Sequence, residues 1–283
     1  MRKLALFYTL LAAAAFAAGF FLFKSKGTAP ASERAHSVCP ISEEAAARAY
    51  PANQDKVSAR AMIVNHHLLA MELIAANLNR VATADPITVV IVSPNHFGAG
   101  SGAIIASNED WDTCYGKIGA DRHLTAILKG NNLVSVEEKP FDSEHGIYNL
   151  LPFIKHSFPN AKIVPLIVKE SADDKLLSDL SKALASEVGS GGLVIGSFDF
   201  SHEVASDQAD RQDRQSIEAI QSGNPADAVR ATIDSRKGLR LVMEYANAAG
   251  AGEFVLTGNT NAAKLLQKPE MTDVTSYVTG YFP

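Results

Sequence analysis

Apolar positions along this chain fall into two alternating kinds of run. Short, nearly unbroken apolar stretches at 61–64, 87–92, 163–168 and 193–196 have the length and β-branched content of strands buried on both faces. Between them lie longer segments whose apolar residues recur at helical spacing. These are 68–81 (Leu69, Leu73, Ala76), 143–158 (Ile147, Leu150, Leu151, Ile154), 173–188 (Leu177, Leu180, Leu184) and 236–249, which Gly250 ends. Shorter signals predict helices at 42–48, 121–129, 207–221 and 225–233, and strands at 103–106, 133–136, 254–256 and 276–281. Pro152 within 143–158 predicts a kink or a restart. Strands alternating with helices of this length predict an α/β fold, a three-layer α/β/α domain with a mostly parallel central sheet.

That alternation occupies 57–283. The stretch 27–56, with Thr28-Ala29-Pro30-Ala31-Ser32, reads as a linker carrying one short helix capped by Ser42. Ahead of it, Arg2-Lys3 precede an apolar run at 4–23, and Lys24-Ser25-Lys26 follow it. Residues 1–26 therefore read as a membrane anchor or a signal peptide. The run exceeds the roughly 7–15 residues of a signal-peptide core, which favours the anchor, while Ala15-Phe16-Ala17 leaves cleavage open. Both readings put the folded body outside the cytoplasm, either membrane-anchored or secreted.

Composition (47% hydrophobic, 20% charged) is that of an ordinary globular chain. Net charge is −5, and 1–26 hold four basic residues and no acid, so the remainder stands at −9. A body this acidic argues against nucleic-acid binding, which wants a basic face. Cys39 and Cys114 are too few for a disulfide scaffold or a structural zinc site; whether they pair is left open.

The chemistry gathers where strands end. Run 61–64 leads into Asn65-His66-His67, run 87–92 into Ser93-Pro94-Asn95-His96, and run 193–196 into Ser197-Phe198-Asp199-Phe200-Ser201-His202. Open α/β sheets place ligands at the carboxyl ends of their strands, so three such junctions predict one shared metal or acid/base site. Any one of these histidines alone would pass as a loop-edge residue, and Asp199 alone as a cap. His67 follows His66 on extended chain and should face away from it. His36, His123 and His156 read as surface residues, and Trp111 as core or pocket lining. The loop Gly98-Ala99-Gly100-Ser101-Gly102 lacks the spacing of a phosphate cradle and reads as a mobile loop beside His96.

Taken in order, Asn65-His66, Pro94-Asn95-His96, Glu144-His145-Gly146-Ile147 with Leu151-Pro152-Phe153, Ser197 to His202, and Ser276-Tyr277-Val278-Thr279-Gly280-Tyr281 resemble the Memo family, also called AmmeMemoRadiSam system protein B. The resemblance runs over about 57–283. It implies the fold of class III extradiol dioxygenase catalytic subunits, which hold Fe(II) with two histidines and a carboxylate. On this resemblance His66 and His96 match metal-site histidines, and Asp199, His202 and His145 match the family's other site positions. The sequence also departs from the family. Asn65 replaces a proline, His67-Leu68 replace Ala-Gly, Phe198 replaces a serine, and Tyr148 stands where a glutamate is usual. Asp234-Ser235 align with a Cys-Gly whose cysteine joins the two histidines; Asp234 is then either the carboxylate of a two-His-one-carboxylate set or a helix cap.

The expected metal ligands are thus His66, His96 and Asp234, and the expected catalytic residues His202, Asp199 and His145. The implied cofactor is a divalent ion, Fe(II) first, with copper or zinc as alternatives. The function expected is a metal-dependent oxidoreductase. The alternative is a non-catalytic metal- or peptide-binding protein that keeps the fold. Expected partners are a small-molecule or peptide ligand and, through the amino terminus, the membrane.

Overall fold

The computed structural model describes residues 35–283, which form one compact unit. Among these residues no helix is long and apolar enough to cross a membrane. The expectations of a transmembrane helix, of membrane attachment and of an anchored or secreted location are corrected accordingly. The segment that prompted them, 1–26, lies outside the described residues.

The architecture is a mixed eleven-stranded sheet covered by helices. The strands are β1 (Ala35–Val38), β2 (Ala61–Val64), β3 (Thr88–Pro94), β4 (Ile104–Ala106), β5 (Asp110–Thr113), β6 (Gly116–Ala120), β7 (Ser135–Val136), β8 (Lys162–Val168), β9 (Leu193–Ser197), β10 (Val255–Asn261) and β11 (Ser276–Phe282). Their order is β1-β5-β6-β8-β3-β9-β2-β11-β10, with β4 pairing β8 and β7 pairing β4. The centre, β6-β8-β3-β9-β2, is parallel throughout. Antiparallel pairing enters through β11 and β10 on one side and through the β5-β6 hairpin and the β4-β8 pair on the other.

Central strands are buried on both faces because alternate residues serve two different cores. Ile63, Val90, Val92, Leu166 and Val194 point to one layer. There they meet Leu124 and Leu128 of α3 (Arg122–Gly130), Leu177, Leu180 and Leu184 of α6 (Asp174–Val188), and Leu239, Val242 and Met243 of α8 (Arg236–Ala248). Met62, Val64, Val89, Ile91 and Ile195 point to the other. There they meet Ile74 and Leu78 of α2 (Met71–Arg80), Ile147 of α4 (His145–Tyr148), and Leu151 and Ile154 of α5 (Leu151–Ser157). This is the expected three-layer α/β fold. The remaining helices are α1 (Glu43–Arg48), α7 (Ser206–Gln221) and α9 (Ala262–Leu266).

Several elements differ from the sequence reading for identifiable reasons. The single helix expected over 143–158 is two, and Pro152 sits in the first turn of the second, where its missing N–H costs no hydrogen bond. The helix expected from Pro225 is a 3₁₀ segment, Pro225–Arg230. Residues 35–56, read as linker, contribute β1 and α1 to the folded unit: β1 pairs with β5, and Cys39 and Cys114 are joined as a disulfide. Strands β1, β5 and β6 are short and broken by glycine or polar residues, so they carry no hydrophobic run that a sequence pattern could register.

Candidate metal centre

Neighbouring strands β3, β9 and β2 end side by side, and each hands one residue to the same point. His66 lies two residues past β2, His96 two past β3, and Asp199 two past β9. Ring centroids of His66 and His96 are 5.0 Å apart, and His145, at the start of α4, stands 5.1 Å from His66 and 4.0 Å from His96. One nitrogen from each of these three rings lies within 4.8 Å of the other two. Asp234, in the turn before α8, brings its Oδ2 to 3.6 Å from His66 Nε2 and 3.8 Å from His96 Nε2. Asp199 Oδ2 is 3.5 Å from the same His66 Nε2.

The surrounding hydrogen bonds decide how the imidazoles face. Ser197 donates its hydroxyl to the Gly146 carbonyl at 2.5 Å, so its oxygen accepts from His66 Nδ1–H at 3.2 Å. The His66 proton is therefore on Nδ1, and Nε2 presents a lone pair to the two aspartates. His96 is set the same way: its Nδ1–H donates to Glu144 Oε1 at 2.5 Å, leaving Nε2 towards Asp234. Glu144 also accepts from the backbone N–H of His96 and of Gly146, and it is buried. Gly146 must be glycine here, because a Cβ would collide with the Ser93 hydroxyl and stand 3.3 Å from His96 Cε1. Asn149 donates to the His66 carbonyl at 3.0 Å, and Asp199 Oδ1 accepts from His66 N at 3.1 Å. Asp199 and Asp234 are tied to each other: the Asp199 N–H donates to Asp234 Oδ2 at 2.8 Å, and the Asp234 N–H donates to the Asp199 carbonyl at 3.1 Å.

The electrostatics follow from this crowding. Burial pushes His66 down to about 4; the Asp199 carboxylate pulls the other way, and His96 and His145 add to the depression. Burial, then His96, lowers His145 as well. Burial, then the Asp199 carboxylate, raises Asp234 well above the ordinary carboxylate range. At neutral pH His66 is thus uncharged, so its contacts with Asp199 and Asp234, at 3.5 and 3.6 Å, are neither ion pairs nor hydrogen bonds. Asp234 Oδ1 is buried without a hydrogen-bond partner. A cation would satisfy all of these acceptors together. Ligand atoms about 2.1 Å from a common ion stand roughly 3.0–3.5 Å apart, close to the spacings found here. The residues present therefore fit a divalent metal.

Of the six site residues expected from sequence, the structure brings together His66, His96, His145, Asp199 and Asp234. His202 takes no part in the contacts just described and is exposed. The cap alternative for Asp234 is excluded, because Ser235 is the N-cap of α8 and accepts from Gly238 N. His67 turns away from His66, as expected, and meets the Tyr277 hydroxyl at 2.8 Å. Trp111 is core. Sequence reasoning passed over Glu144 and Ser197 as orienting residues, although both lie inside quoted motifs. It also read the 98–102 loop as mobile, whereas Glu137 accepts from Ser101 N and Gly102 N and from the Ser101 and Ser135 hydroxyls. Asn95 pins the same loop through Ala99.

A sequence model of the family described as Memo-like protein matches residues 34–280. This chain belongs to the Memo-like protein family. A MEMO1 family protein of Methanothermobacter thermautotrophicus is 29% identical over 199 residues, 69% of this chain and 67% of that protein. One from Pyrobaculum aerophilum is 34% identical over 140 residues, 48% of this chain and 49% of the relative. One from Thermotoga maritima is 30% identical over 152 residues, 53% and 54% of the two chains. The match to the last two spans about half of their length. Among solved structures, an uncharacterized protein of Escherichia coli K12 superposes with a TM-score of 0.50 at 11% identity, over 78% of this chain and 99% of that one. That likeness speaks to the fold alone and agrees with the three-layer arrangement.

Proposed function

We propose that this Memo-like protein binds a divalent metal ion through His66, His96 and Asp234 and uses the centre as a dioxygenase-like oxidoreductase on a small molecule. The observation that carries the reading is the convergence of two imidazole Nε2 lone pairs and a buried carboxylate. Each imidazole is fixed by its other nitrogen on Ser197 or Glu144, as metal-binding histidines characteristically are. Two histidines and one carboxylate leave coordination positions open. A bound ion would supply Lewis acidity towards a ligand in those positions. His145, held neutral beside His96, takes the proton-handling role; its lowered pKa keeps it a base at neutral pH. Asp199 positions His66 by accepting from the backbone N–H groups of His66 and His67. The exposed ring of Phe97, 6.3 Å from His145, offers an apolar wall for the ligand.

A second reading, metal binding without turnover, draws on two features. His202, expected among the catalytic residues, is exposed, and Tyr148 occupies the position where the family usually has a glutamate. Elemental analysis of anaerobically purified full-length protein tests the proposal. About one Fe(II), Mn(II) or Zn(II) per chain at this centre is expected, lost in His66→Ala and Asp234→Ala. A metal content in both variants equal to that of wild type would overturn the ligand assignment. Oxygen uptake with catechol-type substrates, lost in His145→Gln, supports the oxidoreductase; bound metal with no uptake leaves the binding role.

A further inference from the structure

A second cluster of metal-ligating side chains lies at the far edge of the sheet. His36, on β1, has a side chain that is 9% exposed and stacks on the buried indole of Trp111, with ring centroids 4.2 Å apart and planes 25° apart. The two residues are register partners across β1 and β5, so pairing itself places the imidazole. His36 Nε2 is 3.6 Å from Glu109 Oε2 and 3.4 Å from Glu138 Oε2. On the other edge of the ring, Nδ1 is 3.4 Å from Asp142 Oδ1. Glu138 is fixed from behind, accepting from the Ser107 hydroxyl at 2.7 Å and from Asn108 N at 2.8 Å. One atom from each of His36, Glu109 and Glu138 lies within 4.8 Å of the other two.

We propose that His36, Glu109 and Glu138 form a second divalent-cation site, of the Zn(II) class, which clamps the amino-terminal strand to the body. The Nε2–Oε2 separations of 3.4 and 3.6 Å are longer than the roughly 2.7–2.9 Å of a charge-assisted N–H···O bond. The Glu138 contact is a long hydrogen bond and the Glu109 contact is none, and both separations suit atoms that share an ion. Asp142 Oδ1, 3.4 Å from Nδ1 on the solvent side, adds a third carboxylate around the ring. Charge points the same way: three carboxylates surround one imidazole, and a dication with a neutral ring neutralises more of that charge than an imidazolium does. One imidazole and two carboxylates, with solvent reaching the glutamates, suit Zn(II) with water completing the shell. The site lies beside the Cys39–Cys114 disulfide, which joins the residue after β1 to the β5-β6 turn.

Zn(II) titration of chelator-stripped full-length protein, with Co(II) absorption as a second readout, tests this. Wild type should take two equivalents, and His66→Ala should keep one. In the His66→Ala background, His36→Gln or Glu109→Gln should weaken that remaining equivalent by about tenfold or more and remove the rise in thermal midpoint that Zn(II) produces. Glu109→Gln is the milder change and guards against a folding defect from disturbing the His36–Trp111 stack. Absence of any Zn(II) equivalent in His66→Ala, or unchanged Zn(II) affinity in both added variants, would overturn the proposal. Loss of metal from the His66 centre alone leaves this site untouched, so the two assignments fail separately.

Discussion

The centre around His66 and the edge around His36 both gather histidines and carboxylates, yet they are built on opposite principles. The centre stands where three parallel strands end, inside a shell of residues contributed from 65 to 235, and its carboxylates oppose one another. Without an ion it holds a buried acid whose ionisation burial resists and an imidazole kept uncharged. The edge is a short parallel pairing closed by a covalent bond, with its acids partly in water. The centre forgoes stability, whereas the edge is secured by a cross-link. Each contrast can be broken by experiment.

The largest effect expected lies at the edge. Replacing Cys39 and Cys114 with serine removes a cross-link spanning 75 residues, worth about 4.5 kcal/mol in the chain-entropy description and about 2–5 kcal/mol in practice. Denaturant unfolding should show that loss while metal affinity at the His66 centre stays put. A parallel fall in that affinity would mean that the two regions are coupled. Next comes Glu144→Gln, which replaces the carboxylate orienting His96. Affinity at the centre should drop about 10–100-fold, the usual cost of an outer-shell partner, with the Zn(II) affinity of the His36 cluster unchanged. Equal metal affinity in the variant would show that Glu144 only caps α4.

A smaller effect, of opposite sign in stability and in function, is expected from Asp234→Asn. Because the folded-state pKa of Asp234 is raised, its ionisation opposes folding: stability is fully present below the unfolded pKa and falls as pH rises towards the folded one. In chelator, the variant should melt higher than wild type at neutral pH by about 2–4 °C, the shift that roughly 1 kcal/mol produces in a chain of this size, and should bind the metal poorly. A lower melting point, with the gap not widening in the variant's favour as pH rises, would remove the idea that this acid is held at a cost. The smallest effect concerns Glu137, which ties down the 98–102 loop beside His96. Burial raises its pKa, but bonds from Gly102 and Ser101 backbone N–H and from the Ser101 and Ser135 hydroxyls outweigh this and bring it to about 2. Its folded pKa is depressed, so its contribution is present above the unfolded value, near 4.5, and is lost as pH falls towards 2. Glu137→Gln should therefore be less stable at pH 7 by on the order of 1 kcal/mol or less, given solvent screening, and should match wild type near pH 2. A difference independent of pH would show that charge is not what holds the loop.

The two regions also differ in how far the sequence disclosed them. Residues 61–64, 87–92 and 193–196 announce buried parallel strands, because an apolar run of that length has few other uses. Their histidines and Asp199 follow within a few positions, so the centre was legible wherever chain direction alone carries a side chain to the strand end. Short-range physics reached that far: apolar periodicity for the layers, Pro152 and Gly250 for helix limits, alternation for the outward turn of His67. Long-range packing decided the rest. Asp234 joins His66 only because α8 packs on the face of the sheet that brings its first turn over the ends of β2 and β9. Glu144 and Ser197 became orienting groups only once α4 was laid against β3. His36 was read as a surface residue and its stretch as linker, because four polar-rich residues bury little apolar area by themselves. They become a strand by pairing with β5, and that partner lies more than seventy residues away in the chain. Backbone pairing between distant short segments leaves no periodic trace in either one, so tertiary structure alone placed His36 on Trp111 between Glu109 and Glu138.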